Sequence, residues 1–243
     1  MRKVRLSVRP ALCYPEKHIT APNPACHKPP KRGNFIPLPF IAPPLIRHKL
    51  SILRENDTPC STFRTISNEI GALLVYEACR DLPTEKYEAQ GWAGPVTLER
   101  VAGKMLTIVP ILRAGLGLMD GVVSMIPGAK VSVVGLFRDE KTLKPVEYYV
   151  KLAKDIAHRR AVILDPMLAT GGSLCACIEL LKRSGCTSIC SLHLVCAPVG
   201  IERVLKEHPD VDIYTAAVDE KLNDKGYILP GLGDAGDRIF GTR

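Results

Sequence analysis

Apolar positions first fall at helical spacing in Leu45, Ile46, Leu50 and Leu53, directly after Pro43 and Pro44, so order is expected to begin near residue 44. A longer helical pattern runs through Phe63, Ile66, Ile70, Leu73 and Leu74. It has to stop before Pro83, because proline lacks an amide donor and clashes with the preceding turn. The stretch around Gly91-Trp-Ala-Gly-Pro95 has turn composition. Beyond it, short apolar runs alternate with amphipathic segments. The runs cover 105–111, 131–137, 161–164, 189–196 and 213–218, and their length and continuous apolarity suit strands buried on both faces. Segments 116–126, 172–184 and 199–207 lie between them with helical spacing, the last stopped by Pro209. This alternation predicts an α/β fold with a central, mostly parallel sheet flanked by helices. One interval departs from it. Residues 138–149 are charged and contain Pro145, which suggests a β-hairpin lid over about 137–152.

A chain of 243 residues, 46% hydrophobic and 24% charged, can bury one sizeable core. Residues 1–41 carry eight prolines and eight basic side chains against the single acid Glu16, with no periodicity, so they are expected to be a flexible basic extension. Its arginines leave a targeting role open, although prolines break the amphipathic helix such segments use. Residues 42–243 are then a single domain. Most of the net charge of +8 belongs to the extension, since the rest of the chain holds 25 basic against 24 acidic residues. With only 5% aromatics as well, a nucleic-acid groove on the folded part is disfavoured. No run reaches the roughly eighteen apolar residues of a membrane span. The nine cysteines form no paired CxxC pattern and are expected to be reduced, in keeping with a cytoplasmic protein.

The candidate chemistry sits at Asp165-Pro-Met-Leu-Ala-Thr-Gly-Gly-Ser173. The run 161–164 delivers Asp165 to the carboxyl end of a central strand, where open α/β sheets bind ligands. Gly171 and Gly172 let the backbone approach an anion, Thr170 and Ser173 add hydroxyls, and the following helix points free amides at it. A phosphate monoester fits, with Asp165 placed to accept hydrogen bonds from sugar hydroxyls. Spacing alone leaves a plain turn with Ser173 as helix cap open.

The whole string resembles the phosphoribosyl-pyrophosphate (PRPP) loop of type I phosphoribosyltransferases, in the form typical of uracil phosphoribosyltransferases, with Pro166 where many relatives have a second acid. Pro110-Ile-Leu-Arg-Ala-Gly-Leu-Gly117 is similar to that family's pyrophosphate loop, Leu136-Phe-Arg-Asp-Glu140 to the start of its flexible arm, and 226–242 to its uracil-recognition tail. The resemblance covers about residues 43–243. It implies that Arg113, Arg138, Asp165 and Asp234 are the catalytic set. PRPP would be held by these together with Pro166, Met167, Leu168, Ala169, Thr170, Gly171, Gly172 and Ser173, and uracil by Ile228, Gly233, Asp234 and Ala235.

The implied reaction is uracil + PRPP → UMP + diphosphate, in pyrimidine salvage. Its cofactor is Mg²⁺, bound mainly through PRPP and water rather than a protein cage, because Pro166 removes a carboxylate. The resemblance also implies a homodimer or homotetramer and leaves GTP activation open. Two alternatives remain, a PRPP-sensing regulator of the same fold and a transferase for another nucleobase. Gly231-Leu-Gly-Asp-Ala-Gly236 satisfies GxGxxG, but the seven residues after it leave no room for a dinucleotide site's helix and second strand. His193, inside an apolar run, is expected to be a satisfied core residue rather than a base.

Overall fold

The computed structural model describes residues 43–103, 105–138 and 145–242, with the side chains of Arg138 and Pro145 left aside. The extension 1–41 and the tip of the expected lid, 139–144, lie outside the described residues.

Helix α1 (Pro44–Arg54) forms where predicted and buries Ile46, Leu50 and Leu53, which recur every three or four residues on one face. Helix α2 (Cys60–Ala78) buries Phe63, Ile66, Ile70 and Leu74 in the same way. The turn expected at 91–95 is the tip of an antiparallel hairpin, β1 (Thr84–Gly91) and β2 (Gly94–Val101), whose strands the periodicity did not announce. The reason is physical. Both strands are largely exposed, so they carry little of the apolar patterning that marks a buried strand.

Strand β3 (Leu106–Leu112) leads into α3 (Leu116–Met125). The apolar run 131–137 is split in two, a short β4 (Lys130–Val131) and β5 (Val133–Arg138). Buried Ser132 makes the break, its hydroxyl 3.0 Å from that of Thr107 and accepting the Ala153 amide. Strand β6 (Pro145–Lys151) pairs antiparallel with β5, giving the segment hairpin geometry. There follow β7 (Arg160–Leu164), β8 (Met167–Leu168), α4 (Gly172–Arg183), β9 (Ser188–Cys196), α5 (Pro198–Glu207) and β10 (Asp212–Val218). The chain closes with the small hairpin β11 (Lys221–Leu222) and β12 (Ile228–Leu229), then α6 (Ala235–Phe240).

The central sheet runs β10-β9-β7-β3-β5-β6, with β6 its antiparallel edge. From β3 the chain crosses to β5 on one side, while from β7 it moves through β9 to β10 on the other. Right-handed crossovers in opposite directions put the connecting helices on opposite faces. Val162 and Leu164 accordingly join a core with α1, α2 and α3, while Ala161 and Ile163 join one with α4 and α5. The carboxyl ends of β3 and β7 are neighbours whose next helices go to opposite faces. Such a switch point opens a crevice in α/β sheets.

Candidate active site

A cleft of about 260 Å³ occupies that position, lined by Arg113 and Ala114 after β3, by Asp165 and residues 167–174 after β7, and by Gly226 from the tail. A larger cavity of about 500 Å³, lined among others by Tyr76, Met105 and Met125, lies at the amino end of β3. It is apolar and away from the strand ends that gather the polar groups.

Local sequence builds both walls. Gly115 follows Arg113 closely, and a Cβ there would sit 2.3 Å from the Leu164 carbonyl, so only glycine lets this loop press against the end of β7. The Leu112–Arg113 peptide bond is cis. Opposite, Gly171 adopts φ +79° as the residue before α4 and contributes no side-chain cap. The first-turn amides of α4 are thus left without a capping side chain at the cleft, beside Thr170 and Ser173, which together with the helix dipole suits an anion.

Asp165 stands at the end of β7 and accepts the Met167 amide at 3.5 Å. Burial pushes its carboxyl up to about 7. Its main-chain oxygen accepts from His193, whose ring is fully buried and held neutral by that burial, down to about 4. The expectation that His193 is a satisfied core residue matches this, with its second nitrogen 2.9 Å from the Ser191 hydroxyl.

Arg113 is half exposed and reaches the tail, 3.4 Å from the Asp237 carboxylate and with its guanidinium carbon 5.6 Å from the Phe240 ring centroid. Of the residues assigned to uracil, Ile228 and Ala235 are buried in the core and Gly233 is exposed with φ +73°. Among them only Asp234 has a side-chain polar atom, and its Oδ1 accepts the Asp237 amide as the cap of α6. These four do not line the cleft wall that Arg113 and Asp165 share. Arg138 ends β5 through its backbone, and its side chain lies outside the described residues.

Sequence reasoning missed the groups that fasten the tail. Arg54 makes two hydrogen bonds to Asp219, at 2.9 and 2.6 Å, and donates to the Gly231 carbonyl, while Asp219 accepts the Gly231 amide at 2.8 Å. Arg238 donates to the main-chain carbonyls of Leu53, Glu55 and Leu232 and stacks over Phe63 at 4.4 Å. The signal was weak, a buried-side acid far in sequence from its arginine. It becomes legible only when α1 is docked against the tail.

The family model for uracil phosphoribosyltransferase matches residues 40–242. The chain belongs to the uracil phosphoribosyltransferase family. Among solved structures, the AQ2163 protein from Aquifex aeolicus is 40% identical to this member of the family and superposes with a TM-score of 0.79, covering 82% of this chain and 96% of that one. Overlap is smaller with a purine phosphoribosyltransferase from Pyrococcus horikoshii, 26% identical with TM-score 0.34 over 38% of this chain and 62% of that one. A hypoxanthine phosphoribosyltransferase from Staphylococcus aureus gives 19% identity and TM-score 0.39 over 67% of this chain and 74% of the other. As a phosphoribosyltransferase of this family, the protein is a glycosyltransferase-type enzyme for a PRPP-like donor and a nucleobase. No helix among the described residues is long and apolar enough to cross a membrane.

Proposed function

We propose that the protein transfers the 5-phosphoribosyl group of PRPP to uracil, forming UMP and releasing diphosphate. The observation that carries this reading is the uncapped start of α4, with Thr170 and Ser173 in one cleft with Asp165 and Arg113. The 5-phosphate takes the α4 amides and hydroxyls, and Asp165 accepts from the ribose hydroxyls. Arg113, and Arg138 from the lid, stabilise the charge that builds on diphosphate as the C1–oxygen bond breaks ahead of attack by uracil N1. Mg²⁺ fits the cleft in one way. Asp165 is its only carboxylate among the described residues, so the ion would bind through PRPP phosphates and water with Asp165 nearby, neutralising the leaving group.

Uracil is uncharged and planar, and main-chain groups can read it. The segment 226–235, fastened by the Arg54–Asp219 pair and with Gly231 and Gly233 at positive φ, offers such main-chain groups. Asp234 would then face the donor from the cap of α6.

The protein further acts as a homo-oligomer in this reading. The β1–β2 hairpin is exposed along its length, with Trp92 fully exposed at its tip, and an isolated two-stranded ribbon is marginal in water. A second copy would cover it.

Incubation of the protein with Mg²⁺, PRPP and radiolabelled uracil, with hypoxanthine, adenine or cytosine as competitors, tests the assignment. UMP formation resistant to those competitors is expected. Preference for a purine would reassign the base, and PRPP binding without any UMP would favour a donor-sensing regulator.

A further inference from the structure

Cys175 lies in the first turn of α4, Glu207 is the last residue of α5 and His208 caps that helix. The crossover geometry brings the two helices together on one face of the sheet, and one ligand-type atom from each of these three residues lies within 4.8 Å of the other two. We propose that Cys175, Glu207 and His208 form a binding site for a borderline-soft divalent transition metal, zinc(II) foremost, separate from the substrate cleft.

Burial and hydrogen bonding support it independently of proximity. Cys175 is 2% exposed and His208 7%, and the buried Nε2 of His208 has no hydrogen-bond partner. Buried polar atoms are nearly always satisfied, so an orphaned imidazole nitrogen beside a thiol and a carboxylate is a vacant ligand position. Zinc bonds of about 2.0 to 2.3 Å to N, O and S place tetrahedral ligand atoms roughly 3.5 Å apart, within a small rotamer adjustment of the observed spacing.

The neighbours permit occupancy. Lys182, which can only donate, faces His208 Nδ1 at 3.4 Å and also bonds Asp210 at 2.6 Å, so metal binding through Nε2 moves the ring proton to Nδ1 and leaves Lys182 to Asp210. Glu207 accepts from Arg203 at 3.0 Å through Oε1 and also from the Cys175 thiol, a hydrogen bond that metal binding replaces as the thiol gives up its proton. On binding, the Cys175 S–H bond breaks, its proton leaves to solvent and the sulfur lone pair forms the metal bond. Thiolate and carboxylate together cancel the charge of the divalent ion, which a largely buried site requires. The mixed sulfur, nitrogen and oxygen set favours zinc over magnesium, whose preference is for oxygen alone. Three protein ligands leave the fourth position to water.

The test uses the full chain, stripped by a chelator and titrated with zinc or cobalt(II). One equivalent is expected to bind, with a thiolate-to-cobalt charge-transfer band in the near ultraviolet. Cys175→Ser should abolish the band and His208→Gln should weaken binding by more than about 100-fold, since even residues behind a metal ligand are worth 10- to 100-fold. Cys177→Ser should retain both. Glu207→Gln, at an exposed side chain, keeps the test open if a buried variant does not fold, and is likewise expected to weaken binding. Survival of the charge-transfer band in Cys175→Ser, or zinc uptake by Cys175→Ser/His208→Gln equal to wild type, overturns the site.

Discussion

His193 holds the main-chain oxygen of Asp165 through Nδ1 at 2.6 Å, tying the middle of β9 to the mouth of the cleft. A carbonyl can only accept, so Nδ1 carries the proton and Nε2 is left to accept from the Ser191 hydroxyl at 2.9 Å. The imidazole therefore orients Asp165, the residue proposed to accept from the ribose, without itself lining the cleft.

His193→Phe leaves a buried carbonyl and a buried hydroxyl unpaired, which costs about 1–3 kcal/mol for each group. Expected with it is a rise in KM for PRPP at nearly unchanged KM for uracil, most of it restored by His193→Gln. Equal changes in both KM values would reduce His193 to a general stabilising role.

The same burial fixes a pH response. With the folded imidazole held at about 4 against an ordinary 6.5, the unfolded chain takes up the proton first as pH falls. Stability present above pH 6.5 is lost progressively toward pH 4. Urea midpoints measured at pH 7 and pH 5 should fall less in His193→Gln than in wild type.

Asp165 has the opposite sign for stability. Its carboxyl, pushed up to about 7 by burial, binds a proton more readily folded than unfolded, so the folded state loses stability as pH rises from about 4 through 7. Asp165→Asn is expected to have a higher urea midpoint than wild type at pH 8 and a matching one at pH 4. In wild type kcat/KM for PRPP should decline below pH about 7 as the carboxylate is protonated, and the variant should lose that limb together with most activity.

Arg113 divides its contacts between the cleft and α6. Arg113→Ala is expected to lower kcat/KM for PRPP by about 10- to 100-fold, the range of a charge-assisted hydrogen bond of about 1.5–3 kcal/mol. Asp237→Asn takes the charge from the 3.4 Å partner, while its amide oxygen can still accept from the Thr242 hydroxyl, and should cost less than threefold. A larger loss in Asp237→Asn than in Arg113→Ala would mean that the contact with α6, rather than the donor, is the arginine's business.

Arg54→Ala takes the arginine from Asp219, whose side chain is 4% exposed and keeps the Gly231 amide, and it frees the Gly231 carbonyl. Breaking such a pair costs about 3–5 kcal/mol when fully buried, and Arg54 keeps a quarter of its surface in water, so about 2–4 kcal/mol is expected by chemical denaturation. KM for uracil should rise more than KM for PRPP, because the pair fastens the tail and not the phosphate loop.

The sheet's buried strands were legible because a strand covered on both faces must be largely apolar: 161–164 is so throughout, and 189–196 except for Ser191 and His193, which satisfy one another. The exposed hairpin β1–β2 was not, since its side chains face water and carry no comparable pattern. The short helix α6 was hidden for another reason. Its six residues are too few to show a period, and its cap, Asp234, is recognisable only once Asp237 is seen to donate to it.

By itself the sequence determined the switch from apolar runs to helices, the glycines of residues 165–173 and, through that string, the kind of anion expected there. Those features are local, set by backbone freedom and by side-chain spacing along one segment. Only the tertiary structure decided that Arg113 meets α6, that His193 aims at Asp165, and that Arg54 reaches 165 residues along the chain to Asp219. Pairings at that separation depend on which helix covers which face of the sheet, and crossover handedness and packing settle that where no local pattern can.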